Sequence, residues 1–219
     1  MNKKRKLLAL LFFVFFSFAF ASCASKYELT FDVNGGNETE YNVRKIGDYA
    51  FYYINENNNN TIMITQLTIS DGVTSIGNGA FYKYPLSNID VPDSVQSIGW
   101  DAFYGCTGLN SIVISNNVTQ IDNSAFYGCN NLTIYSEYEN APEGWDTNFV
   151  PVIWGCTLSE DKTYVVSIDK TETTSLGNNP YRSGYTFDGW YDASDCSGTK
   201  YETIGDAPIG TLYAKWLEQ

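Results

Sequence analysis

Histidine is absent from all 219 residues. Its absence removes the Ser–His and Cys–His nucleophile pairs and every imidazole-ligated metal site in one step. Basic residues are scarce as well: 13 Lys and Arg stand against 25 Asp and Glu, a formal net charge of −12. Lys3, Lys4, Arg5 and Lys6 supply four of the basic residues, so from residue 23 onward the balance is 9 against 25. A field of that sign repels phosphate backbones and anionic lipid headgroups, which argues against nucleic-acid binding. The five cysteines show no C-x-x-C spacing, so a zinc site has no support. The acidic residues scatter through turns without calcium-loop spacing, and read as solubilising charge. No catalytic residue, metal or cofactor is expected, and the chain reads as non-enzymatic. Beyond residue 20 no apolar run approaches the roughly 20 residues that a membrane-spanning helix needs.

The first segment is different. Behind the basic cluster, Leu7 to Phe20 is apolar except for Ser17, the length of a signal-peptide h-region rather than of a spanning helix. Small residues follow in Phe20-Ala21-Ser22-Cys23. This resembles the lipobox of bacterial lipoproteins, which implies removal of residues 1–22 and diacylation of Cys23. Phe20 departs from that pattern, where Leu, Val or Ile is usual. Ordinary cleavage after Ala21 is the alternative, and would leave a secreted chain with Cys23 unmodified. The expected location is the cell surface, lipid-anchored, with the anchor as the sole membrane contact.

Internal repetition decides the fold class. Residues 67–81, 89–103 and 112–126 superpose, with equivalent positions 22 and then 23 residues apart. Val73, Val95 and Val118 form one apolar column and Ile76, Ile98 and Ile121 another. Ala80, Ala102 and Ala125, then Phe81, Phe103 and Phe126, then Leu86, Leu109 and Leu132 continue the set. A unit this small cannot bury its apolar face alone, but stacking gives each column a neighbour above and below. The alternations Leu67-x-Ile69, Ile89-x-Val91 and Ile112-x-Ile114 predict short strands that turn Thr68, Asp90 and Val113 outward. The Ala-Phe-Tyr segments read as a helical turn or an irregular stretch. The pattern Ile-x-Ile-Pro-x-x-Val-x-x-Ile-Gly-x-x-Ala-Phe-x-x-Cys-x-x-Leu resembles the BspA-type leucine-rich repeat of bacterial surface proteins, over residues 44–156.

The flanks read as caps. Residues 23–43 predict a β-hairpin, Tyr27 to Val33 and Glu38 to Val43 around Asn34-Gly35-Gly36. Ile46 to Phe51 repeats the Ile-Gly-x-x-Ala-Phe wording, with a solvated loop around Asn55 to Asn60. At the far end Trp145 and Trp154 are expected to close the stack. From residue 157 to 219 the period vanishes. Ser183-Gly-Tyr-Thr-Phe-Asp-Gly-Trp-Tyr191, with Thr211-Leu-Tyr-Ala-Lys-Trp216 at the end, resembles the internalin B-repeat, also called the Listeria–Bacteroides repeat, and implies a small β-grasp-like domain. Its aromatics read as a packed mini-core, with a carbohydrate platform as the alternative. Each unit is expected to fold alone, the second acting as a spacer. The fold class is therefore mainly β: a short solenoid with two caps, then a small β domain.

Cys106 and Cys129 share a repeat position and read as buried free thiols, with a disulfide between adjacent rungs as the alternative. Tyr52, Tyr82, Tyr104 and Tyr127 each follow the repeat phenylalanine and predict an exposed or half-exposed aromatic ladder. Tyrosine is enriched at interfaces, so Tyr82, Tyr104 and Tyr127 join Thr68, Asp90 and Val113 as candidate binding residues. The resemblances imply adhesion or protein binding, with a host or neighbouring-cell surface protein or matrix as partner; the alternative is an envelope-structural or carbohydrate-binding lipoprotein that uses the aromatic C-terminal module.

Overall fold

The structure, a computed structural model, describes residues 28–31, 45–51, 66–69, 71–145, 149–172, 174 and 177–219. The leader, Cys23, Tyr52, the hairpin arm 38–43 and the Asn55 to Asn60 loop lie outside the described residues. Ten strands build the first unit: β1 (Glu28–Phe31), β2 (Lys45–Ile46), β3 (Gln66–Ile69), β4 (Ser75–Ile76), β5 (Asn88–Asp90), β6 (Ser97–Ile98), β7 (Ser111–Ile114), β8 (Gln120–Ile121), β9 (Thr133–Ser136) and β10 (Val152–Ile153). Five follow: β11 (Thr157–Leu158), β12 (Val165–Lys170), β13 (Tyr185–Tyr191), β14 (Lys200–Tyr201) and β15 (Gly210–Glu218). No helix occurs among the described residues.

The solenoid is built from parallel ladders. Sheets ordered β1-β3-β5 and β7-β9-β10 form one side, and β2-β4-β6-β8 forms the second. Identical residues meet in register, as with Ile76 on Ile98 and Ile98 on Ile121. The expected columns are all inside, with Ala80, Phe81, Phe103, Val95 and Leu109 at 0% exposure. Phe51, Phe81, Phe103 and Phe126 stack face to face at 5.1, 5.2 and 5.3 Å. The segments around them are irregular, and hydrogen bonding explains why. Their N–H groups donate to the next rung rather than four residues back: Phe81 to Ala102 O at 2.7 Å, Phe103 to Ala125 O at 2.8 Å, Lys83 to Tyr104 O at 2.6 Å. A third column of backbone bonds thus replaces a helix. The tight corners need left-handed backbone at the same place in each rung, at Tyr49, Gly79, Asp101 and Ser124 with φ between 54° and 65°.

A side-chain ladder explains one glycine column. Asn78 N–H donates to Asp48 Oδ1 at 2.8 Å, and Trp100 N–H donates to Asn78 Oδ1 at 2.9 Å. A Cβ on Gly77 or Gly99 would come within 2.6 Å of those acceptor oxygens. Trp100 carries no acceptor, so the ladder stops there, and the next rung has Asp122 where its neighbours have glycine.

At the N-terminal end β1 runs parallel to β3, Glu28 opposite Gln66, and so heads the long-strand column; the second arm of the expected hairpin lies outside the described residues. At the other end β10 adds a last parallel rung on β9. Trp145 packs edge-on to Tyr138 at 5.3 Å and lies 6.1 Å from Trp154, covering the final rung.

Residues 157–218 form one antiparallel sheet, ordered β11-β12-β15-β13-β14. Its pairing slips between Phe187 and Gly189, with Phe187 opposite Trp216 and Gly189 opposite Lys215. The extra residue is Asp188. Simple alternation would place Phe187 and Trp190 on opposite faces; the bulge brings them together, 5.4 Å apart and edge to face.

The two units are not separate. Val113, Tyr135 and Ile153 point out of the solenoid and join one apolar cluster with Leu158, Val165, Ile168, Trp190, Ile204, Ala207 and Leu212. Trp190 is fully buried there, its ring 6.4 Å from Tyr135. Tyr135 donates its hydroxyl to Asn178 O at 2.6 Å, and Asn178 N–H donates to Thr133 Oγ1 at 2.7 Å. The Asn178 amide also donates to Asn131 O. The two units therefore share one buried face, the C-terminal sheet lying over Val113, Tyr135 and Ile153.

Candidate interaction surfaces

Three places were marked by the sequence, and the structure treats them differently. In the strand register Asp90 pairs with Thr68, and Val113, Tyr135 and Ile153 follow one another in the next sheet. Asp90 is half-buried. Val113 does turn outward, but at 6% exposure it lies beneath the C-terminal sheet, and it offers no free contact surface. Of the described side chains in this column, Asp90 alone keeps partial exposure. Tyr135 and Ile153 escaped the sequence reading, although their apolar character at outward strand positions was the available signal.

The tyrosine ladder is present. Tyr82 and Tyr104 stack at 4.8 Å with 7° between planes, and Tyr104 and Tyr127 at 5.3 Å with 24°. Phe149, unmarked by the sequence reading, closes the row edge-on to Tyr127 at 4.8 Å. Tyr127 and Phe149 are 44% and 49% exposed, while Lys83 lies 5.4 Å over the Tyr82 ring. The rings spend their faces on one another, so the row offers edges rather than flat platforms. An ordered aromatic row of this kind suits a protein surface, where rigid rings give contact area at little entropic cost.

The C-terminal aromatics are mostly committed to packing. Trp216 meets Phe187 at 5.2 Å and Tyr164 at 6.1 Å, both edge to face, and donates its Nε1–H to Val165 O at 3.0 Å. Arg182 lies between the Tyr164 and Tyr185 rings at 3.8 and 3.5 Å.

Cys106, Cys129 and Cys156 are buried free thiols, and Cys196 is half-buried. Cys106 S–H donates to Phe81 O at 3.1 Å and Cys129 S–H to Phe103 O at 3.0 Å. Each thiol thus reaches the rung before it, as a small core residue that also bonds between rungs. The neighbouring Cys129 thiol and burial push Cys106 upward, and burial pushes Cys156 up to about 12. Among the described residues no group of three His, Cys, Asp or Glu side chains is placed to hold a metal ion.

Residues 44–142 match, in six copies, the BspA type leucine rich repeat region, and residues 157–215 match the Listeria-Bacteroides repeat domain. The chain is also similar to the crystal structure of a leucine rich cell surface protein from Faecalibacterium prausnitzii A2-165, at 29% identity and a TM-score of 0.41. That match covers 59% of this chain and 32% of the other. No curated protein matches.

Proposed function

We propose that this chain, a BspA-type leucine-rich-repeat region followed by a Listeria–Bacteroides repeat domain, is a non-catalytic cell-surface protein that binds other proteins. The row Tyr82, Tyr104, Tyr127 and Phe149 carries the reading. It is exposed at its far end, and its geometry is fixed from below by the stacked phenylalanines. Next in support is Asp90, half-buried in the strand column, with Thr68 proposed beside it. Adhesion to a host or neighbouring-cell surface protein, or to matrix, fits such a display. The full chain used as bait on surface and matrix extracts should capture a partner. The double substitution Tyr104→Ala and Tyr127→Ala should lose it, and undiminished capture by that variant would remove the aromatic row from the account.

Export and anchoring belong to the same proposal. Cys23 carries the lipid, and labelled palmitate should enter the chain but not its Cys23→Ala variant. Equal labelling of both would leave plain secretion. No helix among the described residues is long and apolar enough to cross a membrane. The protein-binding reading is favoured over a glycan-binding role for the C-terminal sheet because Trp190 is sealed and Trp216 and Phe187 pack edge to face.

A further inference from the structure

Away from the strand column and the tyrosine row, the corner after the short strands carries a different set of side chains. Its first position holds Asp48, Asn78, Trp100 and Asn123 in successive rungs, and its second holds Tyr49, Gly79, Asp101 and Ser124. Asp48 and Asn78 each accept an N–H from the next rung. Trp100 cannot, so this rung gives up a bond and presents a ring that is 51% exposed. Among the described residues no other ring packs on it, whereas Trp145, Trp154, Trp190 and Trp216 all pack on neighbouring rings. Tyr49, 52% exposed, lies across Gly79, where a Cβ would come within 2.6 Å of Tyr49 Cδ1. Gly79 N–H in turn donates to Trp100 O at 2.8 Å. Asp101 holds the place of Gly79 one rung on, roughly 4.8 Å away, with left-handed backbone at φ 55°. The corner thus gathers two half-exposed rings and one carboxyl.

The carboxyl lacks a counter-charge. Asp101 Oδ1 is buried without a hydrogen-bond partner, and among the described residues no Lys or Arg pairs with Asp101. Partial burial pushes the Asp101 carboxyl up from its ordinary value. Taking a carboxylate out of water without a partner is costly, and a cation from outside would offset that cost. Trp is the ring best suited to hold a cation on its face, and arginine is the commonest cation found there. The net charge of −12 draws cations toward the surface. We propose that this corner receives an arginine side chain of a partner protein, its guanidinium on the Trp100 face, Tyr49 at its flank and the Asp101 carboxylate as counter-charge. This adds a contact of stated chemistry to the protein-binding reading and rests on it.

The probe is N-acetyl-arginine amide, titrated into the isotope-labelled full chain by nuclear magnetic resonance, with N-acetyl-citrulline amide as its uncharged counterpart. The Trp100 indole N–H resonance, assigned by its loss in Trp100→Leu, should shift saturably with the arginine probe and far less with the citrulline one. Asp101→Asn keeps a residue that tolerates left-handed backbone and should weaken binding about fivefold, the scale of one exposed ion pair. Trp100→Leu, followed at the Gly79 amide, should weaken it by a similar factor. Glu143→Gln, the same charge change on an exposed turn elsewhere, should stay within about twofold of the parent. Equal binding of the two probes, an unchanged Asp101→Asn, or an equal loss in Glu143→Gln would overturn the corner. If the parent chain ignores the arginine probe yet captures a partner that the Tyr104→Ala and Tyr127→Ala variant loses, the corner fails and the wider binding role survives.

Discussion

Replacing Tyr135 by alanine tests whether the two units are one energetic body. Tyr135 points away from the stacked phenylalanines, is fully buried, and lies 6.4 Å from the Trp190 ring. Truncating a buried aromatic costs about 3–5 kcal/mol in lost transfer energy and cavity. Tyr135→Phe isolates the hydroxyl that donates to Asn178 O at 2.6 Å, worth about 1 kcal/mol. With a urea slope of about 2–3 kcal/mol per molar, a loss of about 4 kcal/mol lowers the midpoint by roughly 1.5–2 M. Circular dichroism gives that shift. Hydrogen exchange gives its location, and protection should fall together in β13 and in β7 and β9, because the lost contact belongs to both. If β9 weakens while β13 keeps its protection, the C-terminal sheet holds itself together and the shared core is an incidental contact.

Phe103→Ala, in the middle of the phenylalanine stack, should cost about 3–5 kcal/mol, while the half-exposed Tyr104→Ala costs far less; similar losses in a denaturant series would put the register in error. Gly99→Ala should cost about 1–3 kcal/mol because its Cβ would sit 2.6 Å from Asn78 Oδ1. Gly47→Ala meets nothing within 4 Å and should be close to neutral, so equal effects would refute the ladder. Iodoacetamide should modify Cys196 well before Cys106, Cys129 or Cys156, read by peptide mass mapping. Because burial raises the Cys156 thiol from 9.0 to about 12, its contribution is full below the unfolded value and is lost as pH climbs through that window; a melt that does not weaken from pH 9 upward would contradict it.

The solenoid was legible because every inward position repeats: Val95, Ile98, Ala102 and Phe103 each have a like residue one rung away, so spacing alone assigns their columns. The tyrosine ladder followed from the same register. What escaped is information that occurs once. Asn178 and Lys162 touch the solenoid from sequence distances of 45 and 25 residues, and no period announces such pairs. The shared core left a fainter trace, in the change from Thr68 and Asp90 to Val113 at one outward position. A single valine on a strand is unremarkable, and only Tyr135 and Ile153 beside it make a patch. The place of the first strand escaped for another reason: alternation does not name β3 as its parallel partner.

That change of character along the outward column bears on how such chains can lengthen. A further rung spliced in before β7 would extend the polar stretch and leave Val113, Tyr135 and Ile153 adjacent to one another. The C-terminal sheet would keep its seat while the open face grew. A rung copied from within β7 to β9 would instead wedge a second valine or tyrosine into the seat, pushing one apolar side chain past the rim of the sheet and into water. Repeat number is therefore free to vary in one direction along the solenoid and constrained in the other.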